Sequence, residues 1–371
     1  MIDTIKLVVT LPKPLRRNGI NFEPSLDSVR EDYHGYFRAV LNPSAAHRRN
    51  GTYRPRLTYT QRSSSMRELA IEMSLPKLLY GNNFDEVADA DFNKIIDKLV
   101  LSLRSLGIWI FPHQLKAADV RKIDFCKNLI FRDYTSVSSI IKDVRSANIK
   151  KIYDIQNTNF RNGGYVYHIH TNSLDVALYD KIADLKQARV SEKRAIETGN
   201  YMQLSLLDEL DKKSPISVAR FEVRLNGKVK IRNELNKCSI KLEKLSFDNL
   251  FNQNVCRKVL LLHWQNIFDS IPKIPLDSDT PEKLFLEIIK DENVKPRQAL
   301  SMLGYALLTK DEDQRYLRNI IDEKFGRHVW NRLKDLRAPP DKSQLKTLLA
   351  ITTIIDEMKP VDIEELGLQQ W

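Results

Sequence analysis

Tyr179 and Lys181 stand two residues apart in the run YVYHIHTNSLDVALYDKIADLKQ (165–187). The run predicts two short strands joined by a polar turn at Thr171, Asn172 and Ser173, with the tyrosine near the end of the second strand. Alternate strand residues share a face, so the phenol and the ammonium are expected to project together. A free tyrosine titrates near pH ~10, and a neighbouring cation favours the phenolate that a tyrosine nucleophile needs. Standing alone, the same pair is a strand-end aromatic beside a solvated lysine. Its weight comes from the residues around it.

Three carboxylates interrupt otherwise apolar strand patterns: Glu72 in LAIEMSL, Asp124 in KIDFC and Glu222 in ARFEVRL. Acidic residues are depleted in strands and are seldom buried without a partner. Three of them on separate strands suggest a converging site for Mg²⁺ or Mn²⁺, since hard oxygen ligands suit those ions. Such an ion would polarise a phosphodiester and offset the charge that grows on its oxygens. Arg220 and Arg224 share the face of Glu222, so a row of structural ion pairs is the competing expectation.

His168 and His170 also share a strand face, and lie in the same hairpin as the tyrosine. A two-residue turn at Asn172 and Ser173 pairs Asp175 with His170 and Val166 with Tyr179, placing both histidines on the tyrosine side. As metal ligands they rank behind the acidic set, and behind histidines that hydrogen-bond within the strand or contact phosphate.

The stretch 34–67 holds Arg38, Arg48, Arg49, Arg54, Arg56, Arg62 and Arg67 without one acidic residue, and interleaves them with Tyr36, Phe37, Tyr53 and Tyr59. Guanidinium groups grip phosphates and aromatic rings stack on exposed bases, so Arg48, Arg49, Arg54, Arg56, Arg62 and Arg67 are the expected nucleic-acid contacts. A solvated basic loop is the plainer alternative. The chain lacks a glycine-rich phosphate loop of the nucleotide-triphosphatase type, which argues against a helicase motor.

The elements that must position these groups are legible in outline. The hairpin 57–75, the helix 90–107 stopped by Gly107, the strand 120–131, the helix 136–148, the hairpin 165–181 and the strand 217–227 predict an α+β fold. Its sheet is expected to be mainly antiparallel and covered by helices on one side. The proline-bearing segment 270–283 is the expected linker, so the domains are expected at 1–270 (α+β) and 281–371 (a smaller all-α domain).

Charge separates the same two parts. The chain of 371 residues carries a net charge of +11. Residues 281–371 hold 15 basic and 16 acidic residues, a net of −1, leaving the first 280 with 44 and 32, a net of +12. A polyanionic partner, nucleic acid first, is expected at the N-terminal part. No apolar run reaches the ~18 residues of a membrane span, and no signal peptide is apparent. Cys126, Cys238 and Cys256 are too few and too scattered for a disulfide framework or a cysteine zinc site, so a reducing cytoplasm is expected.

The ordered set MIDTIKL, LAIEMSLPKLLYGNNF (69–84), RKIDFCKNLIF, SLDVALYDKIADLKQ and VARFEVRL resembles the filamentous-phage gene II type replication proteins, which initiate rolling-circle replication. Residues 300–336 resemble that family's C-terminal region. The resemblance implies a replication-initiator nuclease fold and a strand-specific origin nickase that forms a covalent 5′-phosphotyrosine. It implies Tyr179 as the nucleophile with Lys181 beside it, and Glu72, Asp124 and Glu222 as metal ligands. It implies origin DNA, single-stranded or melted, as substrate, host helicase and polymerase as partners, and the bacterial host cytoplasm as location. A His-hydrophobe-His pair holds the metal in many tyrosine-dependent nicking enzymes, but HIH at 168–170 matches no motif shared with this family. The alternative function is a non-enzymatic, repressor-like DNA-binding regulator that uses the C-terminal helices. A tyrosine recombinase fits less well, because it needs a catalytic set of Arg and His residues on helices, whereas this chain places its tyrosine in a strand context.

Overall fold

The computed structural model describes residues 1–15, 21–28, 35–43, 53–132, 135–145, 147, 157–161, 166–184, 216–271, 280–290, 294–311, 320–321, 323–326, 329 and 342–362. Their strands are β1 (Ile2–Thr10), β2 (Phe37–Leu41), β3 (Arg56–Gln61), β4 (Arg67–Ser74), β5 (Asp119–Phe131), β6 (Asn157–Arg161), β7 (Val166–His170), β8 (Leu174–Asp180) and β9 (Ser217–Asn226). All join one sheet in the order β2-β3-β4-β1-β5-β9-β8-β7-β6, and every neighbouring pair is antiparallel. The α+β expectation with antiparallel pairing therefore holds.

The predicted elements appear where the patterns put them. The serine-rich hairpin is β3 and β4, closed by Arg62 N–H to Met66 O at 2.9 Å. The helix α2 (Phe92–Ser105), following α1 (Leu75–Tyr80), buries Ile95, Ile96, Leu99 and Leu103. It stops before Gly107, whose φ of 73° few other residues tolerate. Next come α3 (Pro112–Lys116) and α4 (Val137–Arg145), then α5 (Lys228–Lys237), α6 (Phe247–Leu250) and α7 (Gln253–Phe268).

The two sheet faces differ in chemistry. On β9, Ala219, Phe221, Val223 and Leu225 are buried in the main core, where Trp264 of α7 meets Phe221 edge-on with centroids 5.6 Å apart. Burying such aromatic and aliphatic surface is the main driving force for docking helices on this face. Arg220, Glu222 and Arg224 alternate with those residues and lie on the opposite, polar face.

The segment expected to be a separate helical domain divides between two cores. Helices α8 (Pro281–Ile288) and α9 (Pro296–Asp311) pack on each other through Leu284, Ile288, Ala299 and Met302. By contrast α10 (Lys342–Glu357) adds Leu348, Ile351 and Ile355 to the main core. Trp264 Nε1 donates to its Thr352 Oγ1 at 2.9 Å, and Arg257 pairs with its Asp356 at 2.6 Å. A boundary near 281 is thus no boundary of the main core, because α10 returns to α7. Residues 272–279 of the expected linker, and most residues between 312 and 341 of the expected all-α domain, lie outside the described residues.

Strand β5 runs past the start of β1. Cys126 N–H still bonds Met1 O at 2.9 Å, but Asn128 N–H has no β1 partner and donates to the buried Glu86 carboxylate. Lys127 Nζ joins the same carboxylate at 2.6 Å, and Glu86 N–H bonds Val361 O at 2.8 Å. Burial pushes the Glu86 carboxyl up, yet Lys127 and Asn128 hold it below its ordinary value. A side chain here replaces a missing strand. Among the described residues no helix is long and apolar enough to cross a membrane.

Candidate functional site

Register arranges the polar face in rows. Val166, Tyr179, Arg220 and Asn128 lie opposite one another across β7, β8, β9 and β5. The next row is His168, Ala177, Glu222 and Cys126, and the third is His170, Asp175, Arg224 and Asp124. Opposed side chains on one face sit close enough to interact. Ala177, the small residue of the middle row, leaves space between His168 and Glu222.

The β7–β8 hairpin fixes this arrangement locally. Thr171 N–H bonds Leu174 O at 2.9 Å and Thr171 Oγ1 accepts from Leu174 N–H at 3.1 Å, closing the expected turn at Asn172 and Ser173. Asn226 N–H bonds Ser173 O at 2.9 Å, tying the turn to the end of β9. The pairings His170 with Asp175 and Val166 with Tyr179 follow from that two-residue turn.

The Tyr179 hydroxyl donates to Glu222 Oε1 at 2.7 Å. Glu222 is buried, with Arg224 on its other oxygen and Arg220 Nη1 3.9 Å from Oε1. Burial raises the Glu222 carboxyl, but the Arg224 and Arg220 guanidiniums outweigh it and hold the pKa down at about 2. The phenol behaves oppositely. Burial, then the charge of Glu222, push Tyr179 well above its ordinary value, against a smaller lowering by Arg220.

Lys181 differs from the sequence expectation. Strand β8 ends at Asp180 and Lys181 opens a helical turn, with its Nζ 5.9 Å from the centre of the Tyr179 ring. It is buried, and burial together with the Arg220 charge brings it down to about 7. The lysine sits beside the ring, but Tyr179 at rest is a phenol.

His168, His170 and Asp175 form a possible metal-binding triad: one donor atom from each lies within 4.8 Å of the others. Asp175 Oδ1 contacts His170 Nδ1 directly and stands 3.9 Å from His168 Nε2. His170 is exposed and His168 and Asp175 are half-buried, with His168 Nε2 itself shut off from solvent. Two imidazoles and a carboxylate suit first-row divalent ions such as Mn²⁺ better than Mg²⁺. Sequence alone pairs Asp175 with His170 and favours the acidic set as ligands. The usable signal was that register, which brings a carboxylate back across the turn to the histidine pair.

Glu72, Asp124 and Glu222 do line one cleft of about 560 Å³, together with His170, Asp175 and Arg224. Yet basic residues answer each of them. Lys122 Nζ lies 3.2 Å from Glu72 and 3.7 Å from Asp124, Lys6 lies 3.9 Å from Glu72, and the two arginines hold Glu222. The ion-pair row is the arrangement observed for these three. Asp124 is 5% exposed, and its Oδ1 has no hydrogen-bond partner among the described residues. Burial outweighs Lys122 and Arg224 and raises its carboxyl to about 7. Tyr179 does not line the cleft; Glu222 links its hydroxyl to it.

Of the expected DNA contacts, Arg48 and Arg49 lie outside the described residues. Arg54 is half-buried in the approach to β3, Arg56 is exposed opposite Glu72, and Arg62 is exposed 3.9 Å from Glu68. Arg67 is buried against Tyr59, and such burial removes it from the set that can reach phosphate. No protein-family model, no curated protein and no solved structure matches the chain.

Proposed function

We propose that the protein initiates rolling-circle replication as a metal-dependent, site-specific single-strand DNA endonuclease and strand transferase with a replication-initiator nuclease fold. The observation that supports this reading most is the shared face of one hairpin. It holds a tyrosine whose hydroxyl is fixed by a carboxylate, and the His168–His170–Asp175 triad on the adjoining rows. The excess of 12 positive charges before residue 281 supports a DNA substrate.

In this reaction the Tyr179 oxygen bonds to the scissile phosphorus and the bond from phosphorus to the 3′ oxygen breaks. The product is a 5′-phosphotyrosine and a free 3′ hydroxyl, which a host polymerase extends. His168, His170 and Asp175 would hold a divalent ion, whose charge would offset that on the phosphate oxygens. Glu222 orients the phenolic hydroxyl, and Arg220 and Arg224 keep Glu222 ionised so that it accepts this hydrogen bond. The phenolic proton is lost and the departing 3′ oxygen gains one; Lys181, whose pKa burial lowers to about 7, is the nearby group able to exchange protons in that range. The phosphotyrosine conserves the phosphodiester for resealing by a DNA hydroxyl when the circle closes.

The test is incubation with Mn²⁺ and a supercoiled plasmid carrying the replication origin of the encoding element. A nicked circle with protein covalently attached at the 5′ end is expected. Intact plasmid, despite demonstrated origin binding, would overturn the reading in favour of a DNA-binding regulator.

A further inference from the structure

Outside the cleft, the connection between α2 and α3 presents large apolar side chains to solvent. Trp109 is 74% exposed and Phe111 63%, while Ile108 before them and Ile110 between them are buried. That alternation anchors the backbone on one side and displays both rings on the other. The display is braced: Ile108 N–H bonds Leu103 O at 3.0 Å and Phe111 N–H bonds Gln114 Oε1 at 3.0 Å. Exposing a whole tryptophan in this way leaves a large apolar surface uncovered, and such surface marks binding sites.

The surroundings indicate what binds. The Arg104 guanidinium lies 5.2 Å from the centre of the Trp109 ring, and the His113 ring is stacked on Phe111 at 5.7 Å and 12°. Over residues 92–118 the basic side chains are Lys94, Lys98, Arg104 and Lys116, and the single acidic one is Asp97, a net of +3. Aromatics and arginine also suit a protein–protein contact, but lysine is depleted there, and the other cations of this segment are lysines. Aromatic faces set among cations instead match a single-stranded polynucleotide, whose bases stack while its phosphates meet the positive charge.

We propose that Trp109 and Phe111 form a stacking platform for single-stranded DNA, separate from the arginine-rich stretch and from the cleft. Only the choice of DNA rests on the proposed replication function; the stacking chemistry stands on the rings and charges alone.

The test measures anisotropy of a labelled oligo-dT strand, and of a duplex, with full-length protein at fixed salt. Trp109→Ala and Phe111→Ala should each weaken binding of the single strand by roughly 5- to 100-fold. Trp109→Phe should retain most of it, duplex affinity should hold, and the melting temperature should not move, since both rings are exposed. Oligo-dT affinity unchanged in the double alanine variant would overturn the platform. So would unchanged affinity accompanied by a shift in oligomeric state, which would make the patch a protein-binding surface. Covalent adduct formation at the origin is scored separately. Ring-dependent oligo-dT binding without any adduct would remove the proposed reaction and leave the platform; an adduct with ring-independent binding would do the reverse.

Discussion

Tyr179 and Glu222 meet on a diagonal. They lie on adjacent strands but in different rows, since Tyr179 is opposite Arg220 and Glu222 is opposite Ala177, and the hydroxyl crosses 2.7 Å to Oε1. Because Ala177 offers no bulk, the carboxylate can lean toward the ring while both of its flanking arginines still reach it. The contact fixes where the phenolic oxygen points and leaves its lone pairs as the reacting surface.

Tyr179→Phe should therefore abolish covalent adduct formation and preserve the fold. The lost hydrogen bond to a charged group costs about 1.5–3 kcal/mol at most, and Glu222 keeps Arg224 and Arg220. Glu222→Gln should cost more, about 3–5 kcal/mol, because two buried or part-buried guanidiniums lose their counter-charge. Thermal melts of the two variants, with denaturing gels for the adduct, check the ranking.

Metal binding should follow the triad and not the acidic set. His168→Ala with His170→Ala, or Asp175→Asn, should lose Mn²⁺ binding, read by titration calorimetry or by the Mn²⁺ resonance signal. Asp124→Asn should still bind the ion. Chelation should stop nicking by the wild type, and added Mn²⁺ should restore it.

Asp124 provides a pH test. Its folded pKa, raised from 3.8 to about 7, gives stability that is fully present below 3.8 and is lost as pH rises through about 7. Above that the buried carboxylate is charged and unfavourable, so Asp124→Asn should be the more stable protein, by roughly 1–3 kcal/mol at pH 8. Melts between pH 4 and pH 8 should show the advantage growing with pH and levelling off past neutrality. A constant difference across that range would mean Asp124 does not titrate there.

DNA affinity should divide the arginines by exposure. Arg56→Ala and Arg62→Ala should each weaken binding and flatten the salt dependence by roughly 0.7–0.9 log unit per log unit of salt. Arg67→Ala should instead lower the melting temperature, because it removes a buried partner of Tyr59. Salt titrations of the three variants separate the two outcomes.

Period-two patterns and turn residues made the sheet and its hairpins legible, because alternation and turn length determine register. The two-residue turn at Asn172 and Ser173 is what sets Asp175 beside His170. For Glu222 and Asp124 the cations were legible, because Arg220, Arg224 and Lys122 stand two residues away on the same strand face. Glu72 is different: Lys6 and Lys122 answer it from strands far away in sequence, and such neighbours depend on strand order. Arg67 misled for a related reason: its charge suggested solvent, whereas its place in β4 points it inward at Tyr59. The return of α10 to α7 was hidden because a helical period does not name the surface it buries against.

The substitution of Glu86 for a strand beside β5 bears on the order of folding. The groups that close it are separated by 275 residues, from Glu86 to Val361, and by 232, from Lys127 to the Lys359 carbonyl. Until residues 359–361 leave the ribosome, the middle of the sheet carries a lysine and a carboxylate with incomplete company, and Trp264 waits for α10. The end of β5 that carries Asn128, in the row of Tyr179, is thus fully paired only once residues 359–361 are in place. A chain halted near residue 275 would hold every candidate catalytic group yet lack the closure that steadies the strand bearing Asp124.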